Sequence, residues 1–366
     1  MTKIKISRMQ FFLLIPNLLY AKAIGITAGV TAREVGGDAW TAMSIGFFAG
    51  ILVILGIICL NSKFPEQTII QISQEVLGKW PSKLVGAILL LFFAAAFATS
   101  ANVMTMHLKE YFLIDTPFWI ICLAYVLLCM YGAFLGIENI IRFSLWGFLG
   151  CLVINITMIF GTWGEFEIRN LLPLFDQGLQ ANIRHSIYIF GDMAMAIFAV
   201  GMIYPMLNNK EKVMPLTFWA MIVSALMILI WPIFELGVIG SGAMKQYVVV
   251  CMQQVRCAQL TRYLPRYELI MVGLFTFSTF VQSATLYYCS LYSVKQISGL
   301  KKDRHIILTL ALILFMATYF MAKDHNSYVH FLRFPWAQIC ISLSLGLPLL
   351  IFIAALIRGK LKSGID

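Results

Sequence analysis

The sequence predicts an all-α integral membrane protein with ten transmembrane helices. Of its 366 residues, 60% are apolar and 12% are charged, whereas soluble domains carry about 25% charged residues. The apolar residues also fall in long unbroken runs, and about 20 such residues are needed to cross roughly 30 Å of hydrocarbon. Ten runs approach or exceed that length, at residues 11–32, 41–60, 84–106, 118–136, 143–162, 186–207, 215–238, 268–293, 305–322 and 335–357.

The spacing and charge of the connections predict one multi-pass domain over residues 1–366. No short apolar segment with a cleavage site opens the chain, so we expect no removable signal peptide. With the N-terminus in the cytoplasm, 16 of the 27 Lys and Arg residues lie inside, ten lie outside, and Lys22 lies within the membrane. Because cationic loops stay on the cytoplasmic side, we expect both termini to be cytoplasmic.

Three connections are long, at 61–83, 163–185 and 239–267. The first contains an amphipathic run, 67–77, that we expect to lie along the inner membrane surface. The third contains an aromatic and basic segment, 247–263, that we expect to be helical. It holds Cys251 and Cys257, which either form a disulfide or point apart on that helix.

Lys22 lies near the middle of the first run, where a cation is costly unless it faces a polar cavity. Small residues surround it, namely Ala21, Ala23 and Gly25, and these let a partner backbone approach closely. Lys22 then neutralises an anion, either a ligand carboxylate or Asp192. The alternative is that the helix starts later and Lys22 reaches the surface along its own stem.

Asp192 is the corresponding charge in the sixth run, directly after Gly191. Glycine permits an unwound backbone whose free N–H groups bind a carboxylate, while Asp192 would bind an amine or carry a proton. The alternative is that Asp192 is close enough to the outer interface to be wet. In a five-plus-five inverted repeat the first and sixth helices are counterparts, and their charges lie within roughly 4 Å in depth at about 1.5 Å per residue.

The third and eighth runs carry hydroxyl and amide residues, among them Ser100, Gln282 and Thr285. Gln282 and Thr285 are one turn apart on one helical face. Most residues of this kind form hydrogen bonds between helices, and the rest line a cavity. Glu235 and Glu268 lie at helix ends, where an interfacial role is expected.

The sequence gives little support to an enzyme, a metal site or a nucleic-acid partner. Its five histidines show no HExxH spacing, its eight cysteines show no metal-ligand spacing, and it has no phosphate-binding Gly-Lys-Ser/Thr loop. The net charge of +10 is explained by the loops beside a lipid bilayer. We therefore expect no enzymatic activity and no cofactor. Glu138 and Arg142, four residues apart, are expected to form an ion pair at the start of the fifth helix.

Five short motifs occur in order between the predicted helices. They are Asp38-Ala39-Trp40, Leu77-Gly78-Lys79-Trp80, Gly136-Ile137-Glu138 with Arg142, Asn170-Leu171-Leu172-Pro173 with Gly178, and Arg266-Tyr267-Glu268. Together they resemble the B subunit of bacterial spore germinant receptors, a branch of the amino acid–polyamine–organocation transporter superfamily. The resemblance runs from about residue 7 to residue 358.

This resemblance implies a LeuT-like fold, a five-plus-five inverted repeat with broken helices 1 and 6, in the spore inner membrane. It implies that the chain senses a small germinant, usually an amino acid, beside an A subunit and a lipoprotein C subunit. The implied ligand pocket lies between helices one and six, with helices three and eight closing it. By position the resemblance assigns to the pocket Ala21, Lys22, Ala23, Phe92, Ala96, Ser100 and Gln282, and the residue patterns add Gly25, Gly191, Asp192 and Thr285.

Two departures from the family pattern concern the ligand. Relatives often have Gly-x-Gly where Ala21-Lys22-Ala23 stands here. The family carboxylate of helix six lies less than three turns before a proline, whereas Asp192 precedes Pro205 by 13 residues. Either the helix is offset or that carboxylate is absent, so a non-standard ligand remains open.

The hypothesis is a germinant-sensing receptor subunit that binds a small polar ligand at the membrane midplane and signals to partner subunits. The alternative is a proton-coupled amino-acid transporter with Lys22 or Asp192 as its coupling group. A third class, a purely structural subunit, predicts that both residues are dispensable for a ligand response.

Overall fold

Helices account for nearly all of the computed structural model, which describes residues 6–247, 249–257, 267–300 and 303–360. The α-helices are α1 Arg8–Lys22, α2 Ala28–Val35, α3 Ala39–Lys63, α4 Ile69–Leu77, α5 Lys79–Tyr111, α6 Phe118–Leu135, α7 Ile137–Arg142, α8 Ser144–Thr162, α9 Leu179–His185, α10 Ile187–Ile203, α11 Val213–Ile239, α12 Ser241–Met244, α13 Val250–Cys257, α14 Tyr267–Ser298, α15 Asp303–Ala322, α16 His325–Phe331 and α17 Ala337–Ile357. π-Helical segments occupy Ala23–Thr27 and Leu332–Trp336, and 3-10 turns occupy Gly36–Asp38, Trp163–Glu165, Ile168–Leu171 and Tyr204–Met206.

The described helices give ten membrane crossings. Nine continuous stretches of the described chain are long and apolar enough to cross a membrane, and the first of them, Arg8–Lys63, has 56 residues. One straight helix of that length would be about 84 Å long, at roughly 1.5 Å per residue, which is far more than a bilayer needs. The chain instead turns at Gly36, whose φ of +57° suits glycine, and α2 packs back against α3.

Each predicted apolar run overlaps one of these ten helices. In order, the membrane helices are α1 with α2, then α3, α5, α6, α8, α10, α11, α14, α15, and last α16 with α17, which form one span over Ser327–Ile357. The third and eighth are longer than predicted, because α5 and α14 continue into polar residues beyond the apolar part. Hydropathy detects only the segment that lies in hydrocarbon, so polar extensions of a helix escape it.

The first and sixth membrane helices are less broken than expected. In the first, the interruption is a π-helical turn between α1 and α2, and the backbone does not unwind. In the sixth, α10 runs continuously from Ile187 to Ile203, so the break predicted at Gly191 is not found there. Its irregular backbone lies at the two ends, at Ser186 and in the turn Tyr204–Met206.

The amphipathic run of the first connection forms α4, with a capping box between Thr68 and Gln71. Its apolar residues are buried, and α4 packs against α5 and α17. The protein itself therefore covers this face, and the expected position of the run along the inner membrane surface stays a prediction. Amphipathicity indicates that one side is buried without saying what covers it.

The third long connection is helical over Val250–Cys257, as expected for its first part. Residues 248 and 258–266 lie outside the described residues. Cys251 is buried, Cys257 is exposed, and both thiols are free. The helical alternative therefore holds for these two cysteines. Burial raises the pKa of the Cys251 thiol well above its ordinary value, and the nearby Glu235 carboxyl adds to the effect.

Three of the sequence motifs have a direct structural reason. Gly78 and Gly136 precede α5 and α7 with φ angles of +99° and +95°, a conformation that favours glycine. Asp38 accepts hydrogen bonds from the Gln177 backbone N–H at 2.9 Å and from Asn182 Nδ2 at 3.0 Å. These contacts join the second connection to the turn before α3. The expected ion pair between Glu138 and Arg142 is present at 2.8 Å.

One end of the molecule gathers both described chain ends. Ile6 pairs with Leu207, and Lys360 contacts Glu75 of α4 at 3.6 Å. Lys210 bonds Glu66 at 2.5 Å on the same side. We call this end, defined by Ile6, α4 and Lys360, the basal face.

Candidate functional site

The centre of the site is a buried ion pair between the first and sixth membrane helices. Lys22, the last residue of α1, donates through Nζ to Oδ1 of Asp192 on α10. Their side chains are 2% and 0% exposed. The second carboxylate oxygen accepts a hydrogen bond from Thr27 Oγ1 at 2.6 Å. Of the two anions that Lys22 was expected to neutralise, the structure selects Asp192, and neither alternative that placed these charges in water applies.

The π-helical turn explains why Thr27 reaches the same carboxylate. Its backbone closes an i to i+5 hydrogen bond, from Ala28 N–H to the Ala23 carbonyl. Five residues make about one turn of such a helix, so Lys22 and Thr27 lie on one face. In a regular α-helix, five residues would make about 1.4 turns and would rotate the two side chains apart. Thr27 could not be predicted from the sequence, because no residue pattern marks the π turn.

A polar layer beside the ion pair joins the first, third and eighth membrane helices. Ser100 Oγ donates to Gln282 Oε1 at 2.7 Å, and Gln282 Nε2 donates to the Leu18 carbonyl at 2.5 Å. Leu18 lies one turn before Lys22, so this layer sits directly next to the pair. Thr285 is buried one turn from Gln282, but its hydroxyl has no hydrogen-bond partner among the described residues.

The predicted residues of the third helix lie in an aromatic cluster. Phe92 stacks on Trp336 at 5.5 Å between ring centroids and meets Phe198 edge-on at 4.9 Å. Ala96, one turn further along α5, is fully buried. These contacts place Phe92 between the third, sixth and tenth membrane helices, where it packs with rings.

Glycines near the pair are required for close packing. A Cβ on Gly191 would lie 3.3 Å from the Trp336 ring, and a Cβ on Gly25 would lie 3.0 Å from Val103 Cγ1 on α5. Gly191 thus makes room for an indole and does not expose backbone N–H groups. Ala21 and Ala23 are likewise buried within continuous helix. The unwound backbone expected at Gly191 to bind a carboxylate is not found in the described structure.

The tenth membrane helix contributes residues that the sequence did not identify. The Trp336 side chain lies beside Gly191, and its indole Nε1 is buried without a partner in the described chain. Tyr328 donates to the Thr99 carbonyl at 3.1 Å, and Cys340 is fully buried. Aromatic and thiol side chains at the start of an apolar run are common in membrane helices. Only the tertiary structure therefore shows that these residues lie beside the site.

Glu235 is a second buried carboxyl, and its expected interfacial position is wrong. It is fully buried in α11, and neither of its oxygens has a hydrogen-bond partner within the described ranges. The reason is that α13 packs over this part of α11. Glu268 is 8% exposed and has a partner. Over the described residues, no three His, Cys, Asp or Glu side chains gather closely enough to hold a metal ion.

The site is closed in this structure. Both members of the ion pair are buried, Thr27 is buried, and Gln282 is buried beside them. A ligand that reaches this position must therefore separate packed helices or displace an internal partner. Chemically, the centre offers one cation and one anion in contact, with hydroxyl and amide groups around them.

Comparison with known proteins identifies relatives over most of the chain. A family model described as spore germination protein matches residues 5–327. The chain is similar to spore germination protein KB of Bacillus subtilis strain 168, with 22% identity over 309 residues, which cover 78% of this chain and 80% of that protein. GerQB of Bacillus cereus is 22% identical over 322 residues, covering 86% and 85%. YndE of Bacillus subtilis strain 168 is 26% identical over 182 residues, about half of each protein at 49% and 50%.

Two solved transporter structures share the fold. The structure of MhsT in complex with L-phenylalanine has a TM-score of 0.66 at 14% identity, and the match covers 99% of this chain and 100% of that chain. Mhp1, a nucleobase-cation-symport-1 family transporter in a closed conformation with bromovinylhydantoin bound, has a TM-score of 0.69 at 12% identity, covering 97% and 79%. The LeuT-like fold that the resemblance implied is confirmed.

Proposed function

The chain belongs to the spore germination protein family, and we propose that it is the germinant-sensing subunit of a spore germination receptor. Its ligand would be a small zwitterion, most simply an amino acid, held between the first and sixth membrane helices. The fold neighbour MhsT was solved with L-phenylalanine bound, which supports a ligand of this size and class.

The observation that carries the proposal is the buried contact between Lys22 and Asp192. Two opposite charges in a low-dielectric interior need partners, because an unpaired buried charge is very costly. A zwitterion placed between them gives the ammonium of Lys22 a carboxylate and gives the carboxylate of Asp192 an ammonium. A neutral sugar or nucleoside offers no such exchange and would leave the pair intact.

Ligand entry would then change the arrangement of the helices. The pair holds the first and sixth membrane helices in direct contact, and a ligand between the charges must separate them. A ligand shifts a conformational equilibrium only through its difference in affinity for the two states. Here the separated state makes two ion pairs with the ligand and the closed state makes none with it.

We also propose where the protein lies and which subunits it works with. The names of the relatives KB and GerQB fit a B subunit that works beside an A subunit and a lipoprotein C subunit. The protein would lie in the spore inner membrane with both termini in the cytoplasm. The separated state would be the one that the partner subunits recognise.

Thermal unfolding of the purified protein against a ligand panel tests this function. The panel contains amino acids, their carboxamides, the matching carboxylic acids without an amine, sugars and nucleosides. We expect stabilisation by one or more amino acids, worth about 2.7 kcal/mol at a ligand concentration of 100 times Kd. The carboxamide and the amine-free acid should each stabilise far less, because each satisfies only one of the two charges.

The matched control is the double variant Lys22→Met with Asp192→Leu, which keeps the approximate shape of both side chains and removes both charges. It should show no stabilisation by the same amino acids. Equal stabilisation by an amino acid and its carboxamide would contradict a contact with Lys22. Stabilisation by no panel member, with or without co-purified partner subunits, would contradict ligand sensing altogether.

A proton-coupled amino-acid transporter is the second candidate, favoured by the likeness to two transporters. The two functions differ in what the chain does alone. Uptake of the stabilising amino acid by liposomes that contain only this chain, driven by a pH gradient and lost in Asp192→Asn, would support transport. Binding without uptake, together with a response that needs partner subunits, would support the receptor.

A further inference from the structure

A polar cavity opens at the basal face, and none of the residues that line it belongs to the site around Lys22 and Asp192. It encloses about 430 Å³ between α4, the start of α5 and the end of α14. Polar side chains make up much of its lining, among them Gln71, Gln74, Lys79, Ser82, Lys83 and Gln296. Two cations and several hydrogen-bonding groups thus face one space.

The charge of this cavity is entirely positive over the described residues. No carboxylate lines it, and neither Lys79 nor Lys83 forms an ion pair with another described residue. The neighbouring carboxylate, Glu75, is already engaged by Gln67 Nε2 at 2.6 Å and by Lys360 at 3.6 Å. Lys79 is also the first residue of α5, so the positive end of a 33-residue helix adds to the field.

Gln296, which lines the cavity, has a donor without a partner among the described residues. Its Oε1 accepts a hydrogen bond from Thr68 Oγ1 at 3.0 Å. Its Nε2 is buried and has no hydrogen-bond partner in the described part of the chain. Buried donors in native structures are nearly always satisfied, so this one calls for an acceptor that enters the cavity from outside.

The cavity lies at the level of the membrane interface. Trp80, beside the cavity, is 79% exposed, and Lys83 Nζ lies 5.3 Å from the centre of its ring. Further along α5, Leu84 and Leu91 are also exposed, as suits a helix surface in contact with lipid tails. Tryptophan is typical of the headgroup region, so the two lysines lie where lipid phosphates lie.

We propose that this cavity binds a phosphate group, and that its source is the headgroup of an anionic phospholipid. The lysines would bind the oxyanion, and Gln296 Nε2 would donate to it. A soluble phosphate or phosphate ester has the same oxyanion and is the other source that the experiment must separate. The site is independent of the germinant pocket.

Native mass spectrometry of the full chain in mild detergent tests the proposal. The probes are phosphatidylglycerol, diacylglycerol with the same tails, glycerol 3-phosphate and inorganic phosphate. We expect phosphatidylglycerol to bind and diacylglycerol not to bind. The double variant Lys79→Gln with Lys83→Gln should weaken phosphatidylglycerol binding about thirtyfold, because two lysines near a lipid phosphate contribute about 2 kcal/mol together and about 1.4 kcal/mol is tenfold.

Two further variants sharpen the test. Lys63→Gln is the matched control, because Lys63 is an exposed cation at the end of α3 near the basal face, outside the cavity, and it should leave binding unchanged. Gln296→Glu keeps the oxygen that accepts from Thr68 and replaces the unused donor with a second oxygen. It should weaken phosphatidylglycerol binding severalfold while the melting temperature stays near that of the wild type.

The possible results distinguish the proposed lipid site from its alternatives. Binding of diacylglycerol as tight as that of phosphatidylglycerol would overturn the phosphate site. So would a lysine double variant that binds like the wild type, or an equal loss in Lys63→Gln. Glycerol 3-phosphate or inorganic phosphate binding as tightly as the lipid would overturn the headgroup as the source and support a soluble phosphate in the same cavity.

Discussion

At the scale of single residues, two buried side chains of opposite charge stabilise each other, because either charge would be costly to bury without its partner. Lys22 and Asp192 are both buried, and Thr27 completes the bonding of the carboxylate. The contact of Lys22 with Asp192 could be anticipated from sequence, because their depths in the two runs match. The role of Thr27 could not, since it depends on a π turn. The unwound backbone predicted at Gly191 is wrong. Glycine permits both an unwound backbone and the close approach of another side chain, and the sequence does not distinguish the two.

The energetic coupling of this pair gives a prediction at the residue scale. Lys22→Met alone, or Asp192→Leu alone, leaves a buried charge without its partner and should lower the free energy of unfolding by about 3–5 kcal/mol. The double variant removes both charges and should come close to the wild type, because an apolar pair of similar volume is often neutral or stabilising. Denaturant-induced unfolding in detergent measures the free energy of unfolding of the wild type, the two single variants and the double variant.

A double-variant loss equal to the sum of the single losses would show that the two side chains do not interact. The buried network of Tyr20, Asn155 and Trp231 offers a comparison without charge. Its Asn155 Oδ1 accepts from Tyr20 Oη at 2.5 Å and from Trp231 Nε1 at 2.8 Å. Substitutions there should act independently of Lys22.

At the scale of helices, small residues determine how closely the second and sixth membrane helices approach. Gly46 and Gly50 lie one turn apart on α3, and a Cβ at either would overlap atoms of the sixth membrane helix and its start. At Gly46 the overlap is with the Ser186 carbonyl oxygen, which is backbone and cannot turn aside. Hydropathy predicts that both segments are helices, but it carries no information about which helices touch. The packing of α4 and the contribution of the tenth helix to the site were missed for the same reason.

Gly46→Ala is therefore predicted to destabilise the protein. The added methyl group forces α3 and α10 apart, and overpacking of this kind costs about 1–3 kcal/mol. Gly273→Ala on α14 is the matched control, because a Cβ there meets nothing within 4 Å. It should be neutral or stabilising, since alanine favours helix over glycine by up to about 1 kcal/mol. Thermal unfolding measures the melting temperatures of the two variants. An equal change in both would contradict a close contact of α3 with the sixth membrane helix.

At the scale of the whole molecule, the fold brings opposite ends of the sequence around one centre. The first, third, sixth, eighth and tenth membrane helices all contribute to the surroundings of the ion pair. Sequence reasoning predicted ten helices and the correct fold class, because bilayer thickness and backbone hydrogen bonding restrict both strongly. It placed four of these five helices at the site and omitted the tenth, whose contacts are set only by packing.

Another ion pair joins the first and tenth membrane helices on the side opposite the basal face. Glu34, at the end of α2, pairs with Arg333 in the π-helical segment before α17. Their side chains are 21% and 26% exposed, and Glu34 lies 12 residues beyond Lys22 on the first membrane helix. In the proposed receptor, a ligand that enters from this side must part the first and tenth helices, and this contact opposes their separation.

Removing the contact should speed ligand entry. Glu34→Gln abolishes the ion pair, and a partly exposed pair contributes about 0.2–1 kcal/mol, so the association rate of the stabilising amino acid should rise by up to roughly fivefold. Stopped-flow tryptophan fluorescence measures that rate. Glu138→Gln is the control, because it removes an exposed pair on α7 and should leave the rate unchanged. An association rate in Glu34→Gln equal to that of the wild type would show that entry does not require the first and tenth helices to part there.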